Sequence, residues 1–348
     1  MGAKLRLRRL AGLPLAAHSL FIISVVVAAA PLQVRPVMDL RERAELQLDP
    51  AAGPESIAFD GGGGGPYTGV SDGSVLRWNG TTQRWTNFAV PPRQDQDVCG
   101  GPYETMMEEV CGRPLGLQFD RTTGDLYIAD AYFGLLMVGP GGGMAQKVAT
   151  EAEGQPFSFT NGVDIDQDEG IVYFTDSSSR FHRRDFILTI LTGDATGRLL
   201  RYNPRTKEVS VLLRGLAFPN GVAMGGGGAF LLVSETTNRR VLRYWLRGPA
   251  AGKVDVFAEL FGFPDNIKRT PAGEFWVALG MGRDFIPPRG APDVAVMCPV
   301  AMRLAADGAV VEVVEDCTAA GAVSEVEERN GTLWFGSVVR PYVEVYSL

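Results

Sequence analysis

Five side chains, Glu55, Asn161, Asn220, Asp265 and Asn266, occupy related places in a set of six similar stretches, and all five offer oxygen. The stretches are GPESIAFD from Gly53, RPLGLQFD from Arg113, FTNGVDID from Phe159, FPNGVAMG from Phe218, FPDNIKRT from Phe263 and AVSEVEER from Ala322. Their lead residues are Glu55, Leu115, Asn161, Asn220, Asp265 and Ser324, spaced 60, 46, 59, 45 and 59 residues apart. Amide and carboxylate oxygens, without His or Cys, suit a hard cation. Ca²⁺ takes roughly 6 to 8 oxygen ligands, whereas Mg²⁺ prefers a tight octahedron rich in water. Five side chains around a wide ring favour Ca²⁺ and leave one to three positions, by that count, for water or substrate. A single Pro-Asn-Gly is ordinarily a turn. Four oxygen-bearing leads at one repeat position point instead to a metal.

The elements that must hold such a ring follow from the spacing, which is that of a four-stranded propeller blade with loops of varying length. After each outline comes a β-branched or aromatic run, as in GDLYIADAY, GIVYFTDSS, AFLLVSETT, EFWVALG and GTLWFGSVV, bounded by Gly, Asp and Asn. The fold class is therefore all-β, a six-bladed β-propeller over residues 36–348. The first strand of each blade lines the central channel, so the six leads form a ring about the axis. The last repeat ends at YVEVYSL, one strand short, and RAELQLD (Arg43 to Asp49) is expected to supply the missing outer strand.

Residues 1–35 form a separate segment. KLRLRR, Lys4 to Arg9, precedes an apolar run through SLFIISVVVAAAP, which reads as a signal peptide or an uncleaved signal anchor. Either one delivers the propeller to the secretory lumen (endoplasmic reticulum, vacuole or outside the cell) and limits membrane contact to this segment. Cys99 and Cys111 bracket a loop of eleven residues, and a disulfide there would pin it. The connectivity of Cys298 and Cys317 stays open. NGT at Asn79 and at Asn330 are candidate glycosylation sites. The net charge of −7, with no basic patch interleaved with aromatics, excludes nucleic acid as a partner.

Asp130, Asp176 and Glu235 follow Leu115, Asn161 and Asn220 at a common offset of fifteen residues, at the ends of second strands. A hairpin returns those ends to the mouth of the channel, where they either bond turn backbones or take part in chemistry. Ser177 to Gly197 and Met281 to Val300 join second to third strands and should rim the same mouth. Phe186, Ile187, Leu188, Ile190 and Leu191 would make the first of these an amphipathic lid over an apolar pocket, or a plain surface helix.

The ordered motifs GPYTGVSDGSVLRW, CGRPLGLQFD, LYIADAYFGLLMVGP, VYFTDSSSRF, GRLLRYNP, FPNGVA, YWLRGP and FPDNIKR resemble the strictosidine synthase-like family, whose animal member is the adipocyte plasma membrane-associated protein. The resemblance runs from about Gly53 to the C-terminus. It implies a six-bladed propeller and kinship with paraoxonases and gluconolactonases, metal-dependent hydrolases whose hub calcium is held by a Glu, several Asn and an Asp. The matching positions here are Glu55, Asn161, Asn220, Asp265 and Asn266.

That resemblance implies two activities. Strictosidine synthase condenses tryptamine with secologanin, using a catalytic Glu in the last blade. The motif alignment puts Ser324 there, and alternation along a strand points the adjacent Glu325 to the opposite face unless a bulge intervenes. The hydrolases are thought to use a His dyad, whereas this chain has only His18, in the leader, and His182, in the lid. The expectation is therefore a calcium-dependent hydrolase of an apolar ester or lactone, with Asp265 or Glu55 accepting a proton. The alternatives are a Pictet–Spengler synthase and a non-catalytic ligand- or partner-binding propeller.

Overall fold

The computed structural model describes residues 41–92, 96–99, 107–281, 299–316 and 323–348. In blades one to five the sheet is laid down in chain order from the inner strand outwards, whereas blade six takes its outermost strand from the start of the described chain. The inner strands are Ile57–Ala58, Pro114–Phe119, Thr160–Asp166, Pro219–Met224, Phe263–Arg269 and Val323–Arg329, one for each of six blades. Pairing within each blade is antiparallel between successive strands. The strands Leu126–Asp130 and Ile171–Asp176 are buried at every position. This explains their unbroken apolar character. Each blade packs a sheet face on both neighbours, so neither face is left for polar alternation.

The core consists of these contacts between blades. Leu232 and Phe257 of blade four, for example, meet Ile267, Phe275 and Met302 of blade five in one buried cluster. Equivalent clusters join blades one and two, two and three, three and four, and five and six.

Closure agrees with the sequence expectation. The strand Arg41–Gln47 pairs antiparallel with Tyr342–Ser347 and becomes the outer strand of blade six, beginning two residues before the expected Arg43. Glu344, 2% exposed, accepts Arg43 at 2.6 Å and also Arg340, which fixes the closing strand by charge. A feature not visible in the sequence is the short strand Gly143–Met144. It adds in parallel to the outer strand Arg84–Val90 of blade one and covers its edge.

The disulfide Cys99–Cys111 is present, with the Cα atoms 5.6 Å apart. Asn79, the last residue of the strand Val75–Asn79, and Asn330, in a turn, are both exposed. The leader, the segment 282–298, Cys298 and Cys317 lie outside the described residues. Among the described residues no helix is long and apolar enough to cross a membrane.

Candidate metal centre and substrate cavity

In blades two to six the inner strand is bulged where it begins, at its lead residue, whereas in blade one Glu55 precedes the unbulged strand Ile57–Ala58. Against their second strands, the inner strands carry one extra residue between Pro114 and Gly116, Thr160 and Val163, Pro219 and Val222, Pro264 and Ile267, and Val323 and Glu325. A bulge leaves a residue unpaired and re-aims its side chain. That is how the neighbours Asp265 and Asn266 both reach the hub, Asp265 lining the cavity and Asn266 donating Nδ2–H to Glu55 Oε1 at 3.2 Å.

The Gly after a lead has its own task. A Cβ on Gly116, Gly162 or Gly221 would lie 2.5–2.6 Å from the backbone of the next inner strand. The close approach of neighbouring inner strands requires Gly at these three positions, whereas Ser56, Asn266 and Glu325 follow the leads of the other blades. Hydroxyls from neighbouring strands take up backbone groups that the bulges release: Thr175 Oγ1 donates to Asn220 O at 2.6 Å, Ser177 Oγ to Pro219 O at 2.7 Å, Thr236 Oγ1 to Pro264 O at 2.7 Å and Ser324 Oγ to Glu55 O at 2.6 Å. The sequence reading missed the hydroxyls of Thr175, Ser177 and Thr236, although their repeated place at second-strand ends was the available signal; Ser324 is itself a lead on the inner strand of blade six.

At the axis, Glu55, Asn161, Asn220 and Asp265 line one cavity of about 120 Å³. Glu55 Oε2, Asn161 Oδ1 and Asn220 Oδ1 are buried without a hydrogen-bond partner. Each such orphan costs roughly 1–3 kcal/mol, which a cation ligated there would recover. The amide of Asn161 is oriented by Nδ2–H donation to Ser177 Oγ at 3.1 Å, turning Oδ1 away from that bond. Burial pushes the Glu55 carboxyl well above its usual range, assisted by Asp265 and Glu325. Burial likewise raises Asp265 to about 7, against the hydrogen bond from Asn220 and the charge of Arg183. Two carboxylates and three amides fit an oxygen-seeking divalent cation. Among the described residues no group of three or more His, Cys, Asp or Glu is placed to hold a metal, so the amides are needed.

The remaining cavity walls are mainly apolar: Leu115, Phe159, Phe186, Phe218, Phe263 and Val338. The segment expected to form a lid is Arg183–Asp185 followed by the helix Phe186–Leu191; Phe186 lines the cavity and Ile190 is buried against Leu115, Phe159 and Phe218, whereas Leu188 and Leu191 are exposed. Phe218 has φ 58°, a strained value for a bulky residue at a site wall. Asp265 packs so closely on Gly280 that a Cβ there would meet Oδ2 at 2.6 Å.

Several other sequence candidates have structural roles. Asp130 accepts the N–H groups of Arg113, Tyr132 and Phe133 at 2.8–2.9 Å. Asp176 accepts Phe159 N–H at 2.9 Å and pairs with Arg198 at 2.6 Å, and Glu235 accepts Ala217 N–H at 2.9 Å. None of the three lines the cavity. His182 lies outside it too, stacked on Tyr132 and bonded through Nδ1 to Ser158 O at 3.1 Å. The bulge beside Ser324 does turn Glu325 inward, where it accepts Ser56 Oγ at 2.9 Å and the Ile57 N–H and pairs with Lys268 at 3.3 Å. Glu325 thus belongs to a deeper layer of the hub with Lys268 and with Gln118, which donates to Asp164 at 2.6 Å. Gln118, Asp164 and Lys268 each lie three residues past a lead, an offset that could have revealed them.

Comparison with known proteins agrees with this architecture. The model of the strictosidine synthase family matches residues 161–249, and that of the strictosidine synthase-like N-terminal region matches residues 39–78. Strictosidine synthase-like 10 of Arabidopsis thaliana is 48% identical over 344 residues, covering 92% of both chains. Strictosidine synthase-like 3 of the same plant is 45% identical, covering 89% of this chain and 86% of its own. In fold, a gluconolactonase from Xanthomonas campestris superposes with a TM-score of 0.61 at 16% identity, over 88% of this chain and 89% of its own. A luciferin-regenerating enzyme does so with 0.59 at 11% identity, over 88% and 96%. With bulged inner strands bearing the repeated outlines and this level of identity along nearly the whole chain, the protein belongs to the strictosidine synthase-like family of six-bladed propellers.

Proposed function

We propose that this protein is a calcium-dependent hydrolase of small apolar esters or lactones, working in the lumen of the secretory pathway. The observation that carries the reading is the convergence of three orphaned buried oxygens, on Glu55, Asn161 and Asn220, beside the Asp265 carboxyl at the floor of an apolar cavity. Glu55, Asn161, Asn220, Asp265 and Asn266 would hold the cation. Bound calcium supplies Lewis-acid polarisation of the substrate carbonyl and acidifies nearby water. The protein's own groups do the rest. Phe159, Phe218 and Phe263 bind the apolar part and exclude bulk water, and Asp265, with Glu55 behind it, accepts the proton of the attacking water. That the same fold serves a gluconolactonase supports the lactone class. The disulfide and the two exposed sequons support the lumen.

The Pictet–Spengler alternative is disfavoured by the fate of the last-blade residues. Ser324 is fully buried with its hydroxyl committed to Glu55 O, and Glu325 is committed to Ser56, Ile57 and Lys268. The test is hydrolysis of a panel of aryl esters and lactones, with calcium and after chelation. Chelator-sensitive turnover is expected. Calcium binding without turnover on any member would reject the hydrolase and leave a ligand-binding propeller.

A further inference from the structure

The cavity has one cationic side chain in its described lining, Arg183, and its surroundings give it a purpose. Arg183 stands at the start of the lid, 12% exposed in its side chain, next to the cavity wall Phe186. Its Nη1 donates to Glu108 Oε1 at 2.6 Å. Glu108 is itself buried, accepts the Tyr132 hydroxyl at 3.2 Å and lies 3.8 Å from Arg113 Nε. It opens the one-turn helix Glu108–Cys111, whose last residue is fixed to Cys99 by the disulfide. The neighbouring pair Arg184–Glu109, at 2.7 Å, docks the lid on the same helix. A loop between blades one and two therefore reaches the lid of blade three and sets the direction of one guanidinium.

A long side chain normally loses rotamer freedom when a ligand fixes it. Here Glu108 has already imposed that order. Guanidinium is also the side chain best matched to the planar, two-oxygen geometry of a carboxylate.

We propose that Arg183 is the anchor for a carboxylate head group, and that the site takes amphiphilic carboxylates whose apolar body lies against Phe159, Phe186, Phe218 and Phe263. This rests on the hydrolase reading for its biological meaning, because ester or lactone cleavage forms a carboxylate, but the binding itself does not require turnover. The cavity of about 120 Å³ is of the order of one that admits a single benzene ring, so the apolar body is one small ring or a short chain.

Phenylacetate and its neutral twin phenylacetamide are the probes, titrated calorimetrically into the full chain with calcium and after chelation. The parent should bind phenylacetate in both states. Arg183→Met should weaken phenylacetate by about ten- to a hundredfold, the range for a hydrogen bond to a charged group, and leave phenylacetamide within about twofold. Arg183→Lys keeps a positive charge opposite Glu108 and loses only the planar fork; it should fold like the parent and weaken phenylacetate several-fold, and it carries the test if Arg183→Met melts early. Equal phenylacetate affinity in the parent and the lysine variant, or binding that disappears with chelation in every form, would overturn the anchor. Carboxylate binding through Arg183 without hydrolysis of any ester or lactone would sink the hydrolase reading alone.

Discussion

Raising the pH should destabilise the metal-free protein, and calcium should reverse the effect. Removal from water raises Asp265 to about 7 in the folded chain from an ordinary 3.8, and the charge of Glu325 acts in the same direction. The folded state therefore holds a proton that the unfolded chain releases at pH about 4. Stability contributed by this site is greatest at low pH, falls as pH rises from 4 towards 7, and stays lost above 7. The rise from 3.8 to about 7, at 1.36 kcal/mol for each pH unit, sets an upper limit of about 4 kcal/mol. Other acids, the buried Asp130 and the partly buried Glu327 among them, are raised by loss of solvent in the same direction, so the total slope is not diagnostic. The informative quantity is the difference between the parent and Asp265→Asn, which cannot titrate there. Urea unfolding in chelator at pH 5 and pH 8 should show a smaller loss for the variant, by up to about 3 kcal/mol, the part of that limit that falls between pH 5 and 7. Excess calcium should stabilise the parent at pH 8, by about 2.7 kcal/mol at a hundredfold excess over its dissociation constant, and the variant much less. The same pH dependence in parent and variant, with no calcium effect on either, would refute the reasoning.

Asn220→Ala removes one orphaned oxygen, and calcium affinity measured by competition with a fluorescent chelator should fall; parent-like affinity would reduce Asn220 to a turn residue. Gly221→Ala places a Cβ 2.5 Å from Ile267 N and should cost on the order of 1–3 kcal/mol in thermal or denaturant unfolding. Cys99→Ser should cost about 3 kcal/mol, as for closure of a loop of similar length, and should loosen the lid through Glu108, read as faster amide exchange across Arg183–Asp185. Ser324→Glu should destabilise the chain, since its side chain is fully buried against Glu55 O, and should yield no condensation of tryptamine with secologanin; product formation would overturn the alignment at this residue.

The sequence by itself determined the number of blades, their order, the closing strand and the residues that meet on the axis. It could do so because a propeller repeats one local unit, and repetition turns a three-dimensional ring into a one-dimensional period. Glu55, Asn161, Asn220 and Asp265 were legible for that reason. Position along the chain does not specify direction, and the rest depended on direction. Alternation would send Glu325 and one of Asp265 and Asn266 away from the hub. The bulges, visible only once strands are paired, bring them in. Glu108 and Arg183, separated by 75 residues, meet only because a disulfide-pinned loop crosses from one blade to the lid of another. The physical reason is the same in both cases. Local pattern fixes which residues face a sheet neighbour, whereas burial, bulging and contacts between distant loops decide what each polar side chain meets.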